Sequence, residues 1–336
     1  MLAFEPTLIR LISTPGTTDI FLNGHRETWL ETHDGVTLAD NPFESEKQLA
    51  DFAINVIAET GRHLDQANPF ADVTIESSEI SGLEGGNFSG IRFHAALGST
   101  CSSKTLVSIR VHGREALDLT DLKKSGMFNP AIEKQLLQII DQRANFIISG
   151  STGAGKTTLL RAMLLEAEAD RIVAIEDVAE LNLGNDYFLS LQTRPANIEG
   201  RGEISLDRLL REALRMSPDR LLVGEVRGAE LLTMLQALNT GHRGSATTIH
   251  ANSSDAVPTR LLGIAAASGV TPDQIVDQIA EAFEFVIHLE LVNGERRIQQ
   301  IGRLEVIDGQ LRVNPLPAQG RSRSRNRGLV SSVEAA

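Results

Sequence analysis

Polar and apolar positions change their rhythm along this chain, and the change separates two regions. Between residues 45 and 64, Leu49, Phe52, Ala53, Val56 and Ile57 recur three and four apart, which predicts a helix, and Gly61 stands where a helix stops. Around it the pattern is short and strand-like. Ile20-Phe21-Leu22 and Thr28-Trp29-Leu30 flank Asn23-Gly24, the dipeptide that supplies the backbone angles of a hairpin turn. Further strand-like pieces at residues 72–75, 90–94 and 106–111 are separated by a Gly/Ser-rich loop and by residues 98–103. Residues 1–118 therefore predict an α+β domain. A helix-rich stretch over 119–143 reads as a linker, its charged part at 121–126 as a hinge. From residue 144 continuous apolar runs replace the alternation: 145–149, 172–175 and 221–223 read as buried strands, so 144–314 predicts an α/β domain. Helical spacing returns at Ile275, Val276, Ile279, Ala282 and Phe283 after Pro272, strands at 285–289 and 298–306 flank the turn dipeptide Asn293-Gly294, and Asp308-Gly309 makes a further hairpin turn. No internal repeat is visible.

Composition narrows the picture. At about 150 residues per domain, 336 residues suggest two, and 41% apolar residues suffice for a core in each. Cys101 is the one cysteine, which rules out an internal disulfide framework and a cysteine zinc cage and points to a reducing, cytosolic setting. No apolar run reaches the roughly 18 residues of a membrane span, and the first ten residues lack the build of a signal peptide, so a soluble chain is expected. The net charge of −12 counts against a surface that grips nucleic acid or anionic lipid throughout. The exception is the end: residues 315–336 carry Arg321, Arg323, Arg325 and Arg327 with few apolar residues, and read as a disordered basic tail.

The strongest chemical signal follows the strand at 145–149. Gly150-Ser151-Thr152-Gly153-Ala154-Gly155-Lys156-Thr157 leads through Thr158 into an apolar helix, giving strand, G-x-x-x-x-G-K-T and helix in order. Small residues let backbone N–H groups converge on a phosphate at a helix N-terminus. Lys156 reaches the β and γ oxygens, and the Thr157 hydroxyl suits Mg²⁺. Two later strands end in carboxylates: 172–175 delivers Glu176, Asp177 and then Glu180, and 221–223 delivers Glu225 after Gly224. Ligands of parallel sheets bind at the carboxyl ends of strands. Glu225 thus reads as a Walker B acid holding Mg²⁺ through water, and Glu176 as the base that orients the attacking water, with an exchange of those roles left open. A GTPase is disfavoured, because no Asn-Lys-x-Asp base-reading motif occurs.

The segment Gly241-His242-Arg243-Gly244-Ser245-Ala246-Thr247-Thr248-Ile249-His250-Ala251-Asn252 completes a series. Phosphate loop, Ile175-Glu176-Asp177, Gly224-Glu225-Val226-Arg227 and this histidine box, in that order, resemble the ATPases of type II and type IV secretion systems. The detail around Leu191-Gln192-Thr193-Arg194, Arg201 and Met216-Ser217-Pro218-Asp219-Arg220 is most similar to the branch serving Tad (Flp) pili and conjugal-transfer machines. The resemblance is strongest over residues 105–305. It differs from many pilus relatives in carrying no long N-terminal extension.

That resemblance implies a RecA-like ATPase domain behind the smaller N-terminal one, a homo-hexameric ring, ATP with Mg²⁺, and an inner-membrane platform protein as partner at the cytoplasmic face. It implies that Arg194 and Arg201 act on a neighbouring subunit's nucleotide, that Arg110 closes over the nucleotide, that His242 positions a loop near the γ-phosphate and that His250 couples subunits. Zinc is not expected, since neither histidine has a cysteine or second carboxylate at ligand spacing. His288, alone in an apolar strand, reads as core. Two other classes stand beside the motor: a nucleic-acid translocase, disfavoured by the charge and by 4% aromatics, and an ATP-binding scaffold without turnover, disfavoured by the full set Lys156, Thr157, Glu176 and Glu225.

Overall fold

A computed structural model of the chain describes residues 1–32, 34–83, 88–98, 103–113, 117–167, 170–194 and 201–317. The chain forms two compact units: Met1–Ala116 together with Thr193–Ser205, and Leu117–Gln192 together with Leu206–Ala336.

In the first unit, strands β1 (Thr17–Asn23), β2 (Thr28–Thr32), β3 (Gly35–Ala39), β4 (Phe70–Glu76), β5 (Phe88–Ala96) and β6 (Leu106–Gly113) make an antiparallel sheet in the order β3-β2-β1-β6-β5-β4. Helices α1 (Pro6–Ile12) and α2 (Glu46–Glu59) supply apolar faces to the same core as Ile20, Leu22, Ile91 and Ile109, the inward positions of alternating strands. Ser45 caps α2 by accepting from the Gln48 N–H, and Gly61 takes a φ of 77° just past its end. Phe52 of α2 packs edge-on against Phe4 and Phe93, with ring centroids 5.3 and 5.9 Å away. A hairpin joins β1 and β2, but not through a two-residue Asn23-Gly24 turn: Asn23 ends β1, its N–H donates to the Glu27 carbonyl at 2.8 Å, and the connection runs over residues 24–27, with Gly24 at a φ of 78°.

The second unit is built on an eight-stranded sheet in the order β14-β13-β12-β7-β11-β10-β8-β9. Its strands are β7 (Phe146–Gly150), β8 (Ile172–Glu176), β9 (Phe188–Gln192), β10 (Arg220–Val223), β11 (Ala246–His250), β12 (Phe285–Val292), β13 (Glu295–Ile307) and β14 (Gln310–Pro315). The six from β12 to β9 run parallel, and β13 and β14 continue the sheet antiparallel through turns at Asn293-Gly294 and Asp308-Gly309, where all four residues have positive φ. The helices are α3 (Leu119–Lys124), α4 (Pro130–Asp141), α5 (Lys156–Leu165), α6 (Leu206–Ala213), α7 (Glu230–Leu238), α8 (Val257–Ala267) and α9 (Pro272–Ala282). Alternate residues of one apolar run serve opposite faces. Phe146 and Ile148 of β7 join the core under α3, α4 and α5, while Ile147 joins the one under α6 to α9.

The stretch 119–143 differs from the expected linker. It forms α3 and α4, broken at Gly126 with a φ of 83°, and buries Leu119, Leu122, Leu136, Ile139 and Ile140 in the second unit's core. An apolar stripe of that size has to be covered, so these helices are part of the domain they precede. The boundary at 314 also moves: Pro315 ends β14, and the Leu316 N–H donates to the Ile301 carbonyl at 2.8 Å. The remaining tail from 318, and Cys101, lie outside the described residues. Among the described residues no helix is long and apolar enough to cross a membrane.

Candidate nucleotide site

Because β7, β8, β10 and β11 run parallel, everything that follows their last residues gathers at one edge of the sheet. The register puts His250 beside Gly150, and Val223 beside both Ile175 and Thr247. Phosphate loop, acidic strand ends and the second histidine of the box thus become neighbours, although Gly150 and His250 are far apart in sequence.

Gly150 leaves β7 with a φ of 153°, and a Cβ there would lie 2.5 Å from the Leu289 carbonyl oxygen, so only glycine fits. Gly155, with a φ of 91°, precedes α5, whose N-terminus has no side-chain cap. With no side-chain cap among the described residues, the first N–H groups of α5 can serve a ligand, with the positive end of the helix dipole behind them. Lys156, only 8% exposed, donates from Nζ to the Gly150 and Ser151 carbonyls at 3.1 and 2.9 Å. Burial pulls its pKa below the ordinary lysine value, while the Glu225 and Glu180 carboxylates oppose that shift. Thr157 and Thr158 are half-buried in the first turn of α5.

Glu225 follows β10 at a turn bracketed by β11: the Thr248 hydroxyl donates to the Gly224 carbonyl at 2.7 Å, and the Val226 N–H donates to the Thr248 carbonyl at 3.0 Å. One carboxylate oxygen lies 3.2 Å from His250 Nε2, and the other accepts from Arg227 Nη2 at 2.6 Å. His250 Nδ1 is 3.3 Å from Lys156 Nζ. An ammonium has no lone pair, so Nδ1 accepts and Nε2 carries the proton that faces Glu225, the neutral tautomer. Burial, and then the Lys156 charge, lower the His250 pKa, in keeping with that state. The imidazole therefore links Lys156 to Glu225.

Glu176 is placed differently from Glu225. It is 3% exposed, and its Oε1 accepts the N–H groups of Glu180 and Leu181, both at 3.1 Å. Burial pushes its pKa up to about 7 against the pull of those two amides. Its carboxyl holds the loop after β8, and the carboxylates whose charge bears on Lys156 are Glu225 and Glu180.

His242 stands elsewhere. It precedes β11, whose first residue Ala246 pairs with Phe146 at the start of β7, so it lies at the sheet edge opposite the phosphate loop. There its Nδ1 hydrogen-bonds the Ala237 carbonyl at 3.0 Å at the end of α7. Within this chain it is His250, not His242, that lies beside Lys156, because the length of β11 separates the two histidines. At the same far edge the buried Arg220 binds Asp170, Gly244 and Ile140, and a Cβ on Gly244 would come 2.6 Å from the guanidinium. Arg110, Arg194 and Arg201 all belong to the first unit. There Arg110 donates to Asp19 at 2.9 Å and Arg194 to the Gly202 carbonyl at 2.9 Å, while Arg201 is exposed.

The profile of the family described as type II/IV secretion system protein matches residues 90–322. The chain belongs to that family. A putative conjugal transfer protein of Mycobacterium tuberculosis is 37% identical over 303 residues, covering 90% of this chain and 84% of its own length. A probable conjugal transfer protein of Sinorhizobium fredii is 32% identical over 276 residues, covering 79% and 80%. Among solved structures, the ATPase DotB of Legionella pneumophila superposes with a TM-score of 0.63 at 21% identity, over 92% of this chain and 83% of that one. The pilus retraction motor PilT with bound ADP gives 0.62 at 20%, over 91% and 82%. These likenesses establish the fold: an N-terminal α+β domain followed by a RecA-like domain.

For this secretion-family chain, sequence reasoning left several site residues without a role. Glu180 was visible as a carboxylate three residues after Asp177, and Arg227 as the last residue of the Walker B tetrapeptide, but spacing does not say which way a side chain turns. Arg296, on the hairpin from β12 to β13, donates from Nε to the Gly153 carbonyl at 2.9 Å and braces the phosphate loop. His288, expected as core, is 1% exposed and shares a hydrogen bond of 2.9 Å with Ser149, the last residue before Gly150. Only the pairing of β12 with β7 brings these two together.

Proposed function

We propose that this chain hydrolyses ATP with Mg²⁺ as one subunit of a ring motor, commonly a homo-hexamer, at the cytoplasmic face of a membrane machine of the Tad (Flp) pilus or type II/IV secretion kind. The observation that carries the reading is the link Lys156–His250–Glu225 across an uncapped helix N-terminus. It joins the group that holds phosphate to the group that acts on water. The names of the mycobacterial and rhizobial relatives support a conjugation-like machine, and an inner-membrane platform protein is the partner such a motor engages.

In this reading the triphosphate lies along residues 150–158, with backbone N–H groups of the loop and of α5 on its oxygens. Lys156 exchanges the Gly150 and Ser151 carbonyls for phosphate oxygens. The donor set fits Mg²⁺: the Thr157 hydroxyl and, through water, the Glu225 carboxylate are hard oxygen ligands. The ion would neutralise charge on the β and γ oxygens. Glu225 accepts a proton from water as its oxygen bonds the γ-phosphorus and the bond to the β–γ bridging oxygen breaks, giving ADP and phosphate. Glu176 holds the loop that carries Glu180 in place of the expected role as base. Arg194 and Arg201 act across a subunit boundary on the neighbour's γ-phosphate, with Arg110 closing on the same charge. Motion between the two units, driven by the difference between loaded and empty states, is the work stroke.

The test is Lys156→Ala in the full-length protein. Nucleotide affinity is expected to fall at least tenfold and hydrolysis to background; unchanged turnover would end the motor reading. A severalfold, salt-sensitive stimulation of the wild type by DNA would move the assignment to a nucleic-acid translocase.

A further inference from the structure

Both oxygens of Glu225 are occupied: one by His250 at 3.2 Å, the other by Arg227 at 2.6 Å. Each oxygen keeps a second lone pair, so water still has a place to bind, but the guanidinium takes one acceptor site and crowds the approach to that oxygen. His250 is tied on its other side to Lys156. Arg227 is the partner built to move. Its backbone is pinned, since its own N–H and that of Gly228 both donate to the buried Glu230 carboxylate at 2.6 and 2.7 Å. Its side chain, by contrast, is 60% exposed and reaches back between two strand ends, with Asp177 3.6 Å from its other terminal nitrogen. The result is a fixed pivot carrying a long, exposed cation.

Arg227 also lies inside the field of the phosphate loop, because its charge bears on both Lys156 and His250. A half-exposed ion pair is held weakly. A guanidinium fork binds phosphate in the same two-pronged way as carboxylate, and a γ-phosphate brings more negative charge than Glu225 does.

We propose that Arg227 is a γ-phosphate-binding arginine supplied by the same chain: it holds Glu225 while the site is empty and turns to the γ-phosphate when ATP is present. The exchange opens a further acceptor site on Glu225 for water at the moment there is a phosphate to attack. ADP offers no γ-phosphate and leaves Arg227 on Glu225. The proposal rests on the ATP-hydrolysing reading above, and it distinguishes Arg227 from Arg194 and Arg201, whose action is on a neighbour.

The experiment compares wild type, Arg227→Gln, Arg227→Lys and Lys156→Ala as full-length proteins, measuring affinity for ADP and for a non-hydrolysable ATP analogue, together with kcat. Arg227→Gln is expected to lower analogue affinity at least tenfold with ADP affinity within threefold of wild type, and to lower kcat at least tenfold; Arg227→Lys should regain part of each. Equal losses for both nucleotides, or no loss for either, overturn the proposal. The Lys156→Ala control separates the two levels. If it loses both nucleotides while Arg227→Gln keeps the wild-type ratio, only the arginine assignment fails. If it keeps both, the nucleotide site itself fails and takes this proposal with it.

Discussion

Replacing Glu176 by Gln tests the division of labour between the two carboxylates. Gln keeps the shape and a carbonyl oxygen able to accept from Glu180 and Leu181, but it removes the ionisation. In the folded chain burial raises the Glu176 pKa from 4.5 to about 7. Ionising it there therefore costs about 3 kcal/mol more than in the unfolded chain, at about 1.4 kcal/mol per tenfold. The sign follows from proton uptake: between those two values the native state holds the extra proton, so stability is full below 4.5 and is lost as pH rises through 7. From pH 5.5 to 8.5 the wild type should lose about 2 kcal/mol from this group, roughly 4–8 °C in melting temperature for a unit of this size. Thermal denaturation of both proteins across that range reads the effect directly. Glu176→Gln should already melt somewhat higher at the acid end, which lies above 4.5, and the gap should widen by about 2 kcal/mol toward the alkaline end. Parallel profiles would refute the account of a buried carboxyl held neutral. Hydrolysis is a second arm: loss within about tenfold fits a residue that holds a loop, whereas loss of a hundredfold or more with intact nucleotide binding would restore Glu176 as the base.

Three further outcomes are expected. Glu225→Gln should keep nucleotide binding and lower turnover by about a hundredfold or more, and a steady-state assay with turnover near wild type would remove Glu225 from the chemistry. Ser149→Ala should cost about 1–3 kcal/mol in denaturant unfolding, because it strips the partner from His288 Nδ1 while Nε2 of the same buried ring has none among the described residues; an unchanged midpoint would show that the pair carries no weight. Mixing Arg194→Ala with Lys156→Ala subunits should regain ATPase activity that neither has alone, since each would supply what the other lacks, and no regain at any ratio would place Arg194 outside the neighbour's site.

Much of the fold was legible because local chemistry and tertiary need coincide. The turns at Asn293-Gly294 and Asp308-Gly309 require positive φ at both residues, and their residues announce it. The helix from Glu46 to Glu59 carries its own cap and stripe. The stretch 119–143 reads as linker in sequence because charge at Asp121, Lys123 and Lys124 masks the apolar positions around them, which face a core the sequence does not display. Within the site, the phosphate loop was complete in the sequence, since its chemistry is contiguous. Glu176 and Glu225 looked alike as strand-end acids, and only burial told them apart.

The sequence by itself determined the strand, glycine-rich loop and helix that can receive a phosphate, and the set of carboxylates and histidines that accompany it. It could do so because each of these is written in neighbouring residues. Tertiary structure alone decided which members of that set meet. The parallel register of β7 with β11 brings His250 to Lys156 and leaves His242 at the opposite edge, and the turn after β10 brings Arg227 onto Glu225. A sequence orders residues along one dimension, while strand direction and register set which of them share an edge, and those are fixed only when the whole sheet buries its two faces.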